Sequence, residues 1–218
     1  SFRRAQGVIF LTQYARDAVT TAMGGLRGAS ALIAHGIESR FVMRPRPQKT
    51  FRELAGQPLK LLYVSIQLPY KHHLEVMQAV AQLRHDGRPV VLQMVGANAG
   101  AYGEAVRRHR LALDPHESFL HDLGHVDFGR LHELYRQADI FLFASSCENL
   151  PNILIEAMAA GLPIACADRG PMPEVLANAG EYFDPQSPAS IAASIRRLAD
   201  DGALRAELAE CAWIGAQQ

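Results

Sequence analysis

The stretch Asp139-Ile140-Phe141-Leu142-Phe143-Ala144-Ser145-Ser146-Cys147-Glu148-Asn149-Leu150-Pro151-Asn152-Ile153-Leu154-Ile155-Glu156-Ala157-Met158-Ala159-Ala160-Gly161 decides the reading of this chain. Its first part is a strand-length apolar run, Ile140 to Ala144, and its last part is an apolar helix opening at Pro151. Proline suits the first helical position, where its missing N–H is no loss. Glu148 then sits in the loop ahead of a helix N-terminus, and Glu156 about one and a half turns inside the helix, so the two carboxylates can address opposite ends of one elongated ligand. Helix N-termini attract phosphate through free N–H groups and the helix dipole. A ligand with hydroxyls at both ends and phosphates between them, a nucleotide-sugar, fits this layout. Two glutamates at this spacing are usually a solvated face and a cap. Glu156, however, lies in an almost wholly apolar run, and a buried carboxylate without a hydrogen-bond partner is expensive.

Outward from this junction, strand-like and helix-like runs alternate, the pattern of βαβ units. Strands are expected at Val8–Thr12, Ala31–Ala34, Leu59–Ile66, Val90–Val95, Ser118–Leu123, Ile140–Ala144 and Pro163–Ala167, and helices at 14–23, 73–85, 103–113, 128–137, 151–160, 188–200 and 203–212. The fold class is α/β, a doubly wound, mostly parallel, Rossmann-like sheet. The proline-rich, charged run Arg44-Pro45-Arg46-Pro47-Gln48-Lys49 has no apolar period and reads as a linker. Residues 1–43 hold one strand-helix-strand unit, residues 44–56 form the linker, and residues 57–218 carry the full sheet. The chain opens at Ser1 and stops within a helical pattern at Gln218, as expected of a fragment truncated at its C-terminus.

With 218 residues, 49% apolar and 20% charged, the composition is that of a globular domain, and 22 basic against 22 acidic residues give no excess that would suit nucleic acid. No apolar run approaches the roughly 20 residues of a membrane-spanning helix, and no signal peptide opens the chain. Cys147, Cys166 and Cys211 are odd in number without a CxxC pair, which speaks against a disulfide framework or zinc site and for a reducing cytoplasm. The nine histidines show no metal-ligand spacing, so no metal cofactor is expected. G-x-S-x-G and the P-loop are both absent.

In doubly wound sheets, ligands bind outside the carboxyl ends of the strands. The loops to inspect therefore follow Ile66, Val95, Leu123, Ala144 and Ala167. Lys71, in the first, is a candidate point charge for a phosphate, with a solvated lysine as the plainer alternative. Gly96 opens Gly96-Ala97-Asn98-Ala99-Gly100, whose spacing is not that of a dinucleotide fingerprint, and reads as allowing close approach of a ligand. The backbone of Leu123-Gly124-His125-Val126-Asp127 could meet a flat base. Glu174, after Gly170-Pro171, could complement the N-terminus of its own helix. His35 reads as structural.

Taken together, these residues resemble the donor-binding half of the family 4 retaining glycosyltransferases of GT-B fold, over nearly the whole chain. The resemblance rests on Glu148 to Glu156 with Ala157-Met158-Ala159-Ala160-Gly161-Leu162-Pro163-Ile164, on Gly170-Pro171-Met172-Pro173-Glu174-Val175, on Gly180-Glu181-Tyr182-Phe183-Asp184-Pro185 as a closing strand, and on Ile33-Ala34-His35-Gly36-Ile37-Glu38. It implies that 1–43 is the tail of an acceptor domain and 57–218 the donor domain. It further implies Glu156 on the ribose hydroxyls, Lys71 on the diphosphate, Glu148 beside the anomeric carbon as the catalytic position, and the Val126 backbone at the base, without metal. Gly96, Asn149, Leu150 and Asn152 complete the donor set. The implied activity is transfer of a hexosyl unit from a nucleotide-sugar to a glycan or lipid-linked acceptor, in the cytoplasm. Peripheral membrane contact at the inner face would run through the missing acceptor domain, and the fragment alone would be inert.

Two departures stand out. Ile66 occupies the place of a common second phosphate ligand, an arginine five positions before the lysine, for which Arg169 is a candidate substitute. Pro151 and Asn152 replace glycine and leucine whose N–H groups contact donor, so the Asn149 and Asn152 side chains are expected to take over. The alternatives are a GT-B sugar-nucleotide epimerase, disfavoured because no acid/base groups surround Glu148, and a non-catalytic nucleotide-sugar-binding module, favoured by Ile66.

Overall fold

The computed structural model describes residues 2, 5–50, 53–54, 56–98 and 100–217. The start of the 1–43 segment and part of the 44–56 linker thus lie outside the described residues. The described residues form two parallel sheets. The first pairs β1 (Gly7–Phe10) with β2 (Ala29–Leu32) across α1 (Gln13–Met23). The second has six strands: β3 (Leu59–Val64), β4 (Val90–Val95), β5 (Leu120–Asp122), β6 (Ile140–Phe143), β7 (Ile164–Ala167) and β8 (Glu181–Phe183). Their order is β5-β4-β3-β6-β7-β8, and every pair is parallel. The order reverses between β3 and β6, where Leu61 faces Ile140 and Leu62 faces Phe141. Such a reversal opens a crevice at the strands' carboxyl ends.

Helices cover both faces, which is why β6 and β7 are continuous apolar runs without alternation. α2 (His73–His85) packs with α3 (Gly100–Leu113) and α7 (Pro188–Asp200). α5 (Asn152–Ala159) packs with α8 (Gly202–Gly215) and with α6 (Met172–Leu176), and the 3-10 turn Ser39–Phe41 joins α5 to α4 (Phe128–Gln137). The sequence alternation placed most of these elements to within a few residues; β8 is expected from the family resemblance and α6 from the turn at Gly170-Pro171. β5 is shorter than expected, α3 starts earlier at Gly100, and Pro151 is the residue before α5 and not its first. The shortening of β5 follows from its place at a sheet edge, where it has one partner strand, β4.

The first segment is fastened to the large sheet at several points. Phe41 is fully buried, edge-on to Tyr135 of α4 at 5.6 Å between ring centroids, and Tyr135 stacks on Phe141 of β6 at 5.4 Å. Met43 N–H donates to Ala159 O at 2.9 Å. The connecting run is held in turn by two arginines. Arg46 donates to the carbonyls of Arg136 and Ala138, and the buried Arg205 donates to those of Leu198, Ala199 and Lys49 and to Gln48 Oε1. Leu198 and Ala199 lie in the last turn of α7, where carbonyls have no helical partner, so Arg205 both caps a helix and ties down the connection.

Each buried polar group left without a partner costs roughly 1–3 kcal/mol. Arg205→Met is therefore expected to lower the unfolding free energy by about 2–5 kcal/mol. The check is the midpoint shift in urea denaturation followed by circular dichroism, at unchanged slope.

Candidate functional site

The carboxyl ends of β3 and β6 lie side by side, and the loops that leave them carry Lys71 and Glu148. After β3 the chain makes a 3-10 turn, Pro69–Lys71, and His72 then adopts a left-handed conformation (φ 52°) that redirects it into α2. That backbone is uncommon for a residue with a Cβ and is held by tertiary contacts. His72 Nε2 lies 2.9 Å from Ser146 Oγ, Ser146 N–H donates to Tyr70 O at 2.9 Å, and Tyr63 Oη donates to Lys71 O. The turn after β3 and the loop after β6 are thus stitched together at the backbone.

Between them, Lys71 Nζ donates to Glu148 Oε1. Lys71 is 7% exposed, with its ammonium 5.2 Å from the Tyr70 ring centroid and 5.7 Å from that of Phe143. The solvated-lysine alternative is thereby excluded. The neighbouring loops join the same mouth. Gly96 N–H donates to Gly124 O at 2.8 Å, and a Cβ on Gly96 would lie 1.9 Å from Ser65 O, so only glycine lets the ends of β3 and β4 approach this closely. Val126 is half-buried against the core. Below the mouth, His73 is buried, and desolvation pushes its imidazole down to about 4, so it is neutral at physiological pH.

Glu156 stands apart from the Lys71–Glu148 pair. It is 8% exposed, and its Oε2 accepts from Tyr135 Oη at 3.0 Å, the partner that a buried carboxylate required. Burial pushes its carboxyl up, the Tyr135 hydrogen bond opposes this, and Glu38 nearby adds to the rise. Burial also pushes the Tyr135 phenol well up, so the phenol stays protonated and donates.

Several expectations about the mouth are corrected. The start of α5 offers less to an anion than a free helix N-terminus: Asn152 N–H is bonded to Leu150 O, and the Leu154 and Ile155 N–H groups to Pro151 O. Of the first four helical amides, Ile153 alone has no backbone acceptor among the described residues. Arg169, the candidate substitute for the arginine absent at Ile66, is paired with Asp168 and Asp184. Ile66 itself is 44% exposed. Asn152 turns its Oδ1 to His35 Nδ1 at 3.3 Å, and Asn149 gives its carbonyl to Thr12 Oγ1 at 3.1 Å, so both meet the first segment. Leu150 lines a cavity of about 510 Å³ between that segment and α5, together with His35, Ile155 and Glu174. Glu174 caps a different helix from its own: its carboxylate accepts from the N–H groups of Gln13 and Tyr14 at 2.6 and 2.7 Å, at the start of α1. Sequence periodicity carries no signal for His72, Ser146, Tyr135 or this use of Glu174, since each acts through a partner distant in the chain.

Among the described residues no group of three His, Cys, Asp or Glu could hold a metal ion, and no helix is long and apolar enough to cross a membrane.

Comparison with known proteins gives this geometry its context. Glycogen synthase of Mycobacterium tuberculosis is 26% identical over 207 residues, covering 92% of this chain and 47% of that protein. O-antigen chain mannosyltransferase B of Escherichia coli is 27% identical over 147 residues, 66% of this chain and 38% of that protein. The chain therefore spans less than half the length of these curated relatives. The crystal structure of Anabaena HepE in complex with UDP and glucose superposes with a TM-score of 0.81 at 22% identity, covering 98% of this chain and 59% of that one, a likeness of fold. The model of the family described as glycosyl transferases group 1 matches residues 46–212, the large sheet with its connecting run, and the chain belongs to that family.

Proposed function

We propose that this chain is the donor-binding part of a retaining glycosyltransferase that moves a hexosyl unit from a nucleoside-diphosphate sugar to a glycan or lipid-linked acceptor. The observation that carries the reading is a buried lysine and a carboxylate meeting at the reversal point of a parallel sheet, one loop away from a second, buried carboxylate. Complexes of HepE with UDP, glucose and UDP-glucose support a nucleotide-sugar donor by analogy.

In this reading Lys71 holds the diphosphate, Glu148 the transferred sugar, and Glu156 the ribose hydroxyls, with the Val126 backbone at the base. Gly96 borders the donor by keeping the ends of β3 and β4 close at the mouth, and Asn149, Leu150 and Asn152 shape the approach to α5. The bond from the anomeric carbon to the diphosphate breaks as the acceptor oxygen bonds to that carbon on the same face, and the acceptor proton passes to a diphosphate oxygen. The charge that develops on the leaving diphosphate is stabilised by the Lys71 ammonium. No metal takes part. Residues 1–43 belong to the acceptor side and 44–56 link it to the donor domain at 57–218, so the chain alone binds donor without transferring it. Its place is the cytoplasm, with membrane contact through the acceptor side.

A second reading, a binding module without catalysis, is favoured by one observation: Ile66 and the engaged amides of α5 leave the phosphate region short of positive charge. Sugar transfer by the full-length protein decides between the two.

Glu156 supplies a test that a structural role would fail. Its carboxyl is pushed up in the folded chain, so the native state holds its proton more tightly than the unfolded one, and stability falls as pH rises through the shifted value. Glu156→Gln keeps an acceptor for Tyr135 and is never ionised. The variant is expected to be more stable than the parent at pH 7, by thermal melting, with the gain disappearing below the ordinary carboxylate range. Its affinity for the nucleotide that binds among UDP, GDP and ADP is expected to fall roughly tenfold by calorimetry, since a neutral acceptor replaces a charge-assisted one. A residue present for the fold alone would lose stability and leave binding unchanged.

Ile66→Arg supplies the absent charge on an exposed position at the mouth. A charge-assisted contact of about 1.5–3 kcal/mol corresponds to a tightening of tenfold or more for the same nucleotide. Unchanged affinity would mean that the phosphates do not pass this position.

A further inference from the structure

Among the described residues positive charge at the mouth is scarce, and the buried ammonium of Lys71 already has a partner. Ile66 is apolar, Arg169 is held by Asp168 and Asp184, and the amides that open α5 are mostly bonded to backbone carbonyls. An anion arriving at this mouth meets Lys71, and Lys71 meets Glu148. The backbones on either side are fastened by His72–Ser146 and Ser146–Tyr70 contacts, so the two groups are held in register and cannot separate by drifting loops.

We propose that Glu148 is an internal rival of the diphosphate for Lys71: the ammonium passes from the carboxylate to the diphosphate when donor binds, and returns to it when the nucleoside diphosphate leaves. The inference rests on the donor-site reading above and adds to it a device for product release. Because the loops are pinned, the exchange needs only rotation of the Lys71 and Glu148 side chains. An intact donor offers the freed carboxylate its sugar hydroxyls, whereas the spent nucleoside diphosphate offers none. Glu148 therefore weakens product more than donor, and the separation of the two affinities is built into one ion pair. A buried charge pair is costly to break when one member is left alone. Here the diphosphate keeps Lys71 paired throughout, while Glu148 is stranded only in the product complex.

The test is calorimetric titration of UDP, GDP and ADP into the chain as it stands and into Glu148→Gln, Lys71→Gln and the double variant. Glu148→Gln is expected to bind the recognised nucleoside diphosphate tenfold or more tightly than the parent. In the Lys71→Gln background the same substitution is expected to change affinity by less than twofold, because the rivalry acts through Lys71. Equal tightening in both backgrounds would mean a general loss of negative charge and would overturn the proposal, as would equal or weaker binding by Glu148→Gln. Binding by the parent in that case leaves the donor-site reading in place. Binding by Glu148→Gln alone supports the rivalry in its strongest form, and binding by none of the four proteins sinks both readings. Should Glu148→Gln fail to fold, Glu148→Asp retains the charge on a shorter arm. It is expected to tighten binding by a smaller factor, and no tightening overturns the proposal.

Discussion

The parallel pairing of β3 with β6 is the constraint on which the site depends. Leu61 against Ile140 and Leu62 against Phe141 fix the register, and both strands run the same way, so both following loops emerge at one end. Lys71 and Glu148 are 77 residues apart in sequence, yet each lies only a few residues beyond the end of its strand. Had the two strands been antiparallel, the loops would leave at opposite ends of the sheet. The apolar side chains of β3 and β6, covered on both faces, thus do more than stabilise: they decide which charged groups can meet.

A second chain of contacts reaches the site from the first segment. Phe41 packs its ring against Tyr135, Tyr135 stacks on Phe141 of β6, and the same Tyr135 hydroxyl donates to Glu156. Removing area from Phe41 would loosen the ring that orients the Glu156 carboxylate. Glu174 makes a parallel connection, carrying negative charge from α6 to the positive end of α1. The first segment is fastened to the large sheet through residues that border the site, so its orientation and the site's geometry are coupled.

Much of this was legible in the sequence and some was not, for identifiable reasons. The apolar runs and their periods gave the strands and helices, because burial on both faces of a parallel sheet leaves a local imprint. Glu156 was legible because a carboxylate inside Ile153-Leu154-Ile155-Glu156-Ala157-Met158 breaks that imprint. Its partner was not, since Tyr135 looks like any aromatic of a core helix and its hydroxyl is placed only by the packing of α4 on β6. The ion pair was missed for the same reason: Lys71 and Glu148 were each singled out, but which charges face each other is a property of strand order. The loss of anion-binding capacity at α5 follows from Leu150 and Pro151 folding back to take the first amides, a local turn with no separate signal in composition.

The two carboxylates of the opening motif therefore occupy opposite electrostatic situations within one loop and helix. Glu148 has a full cation at contact, so a ligand must offer that cation something comparable before the carboxylate is released. Glu156 has a phenol hydroxyl and no cation, and burial makes its charge costly. A neutral donor such as a hydroxyl lowers that cost without competing with anything already bound. On the proposed donor-site reading, anionic and hydroxyl-bearing parts of a ligand would be received on different terms, the first by displacement and the second by addition. On that reading a ligand that supplies both at once would satisfy Lys71 and Glu156 in a single event, which neither a free phosphate nor a free sugar could do.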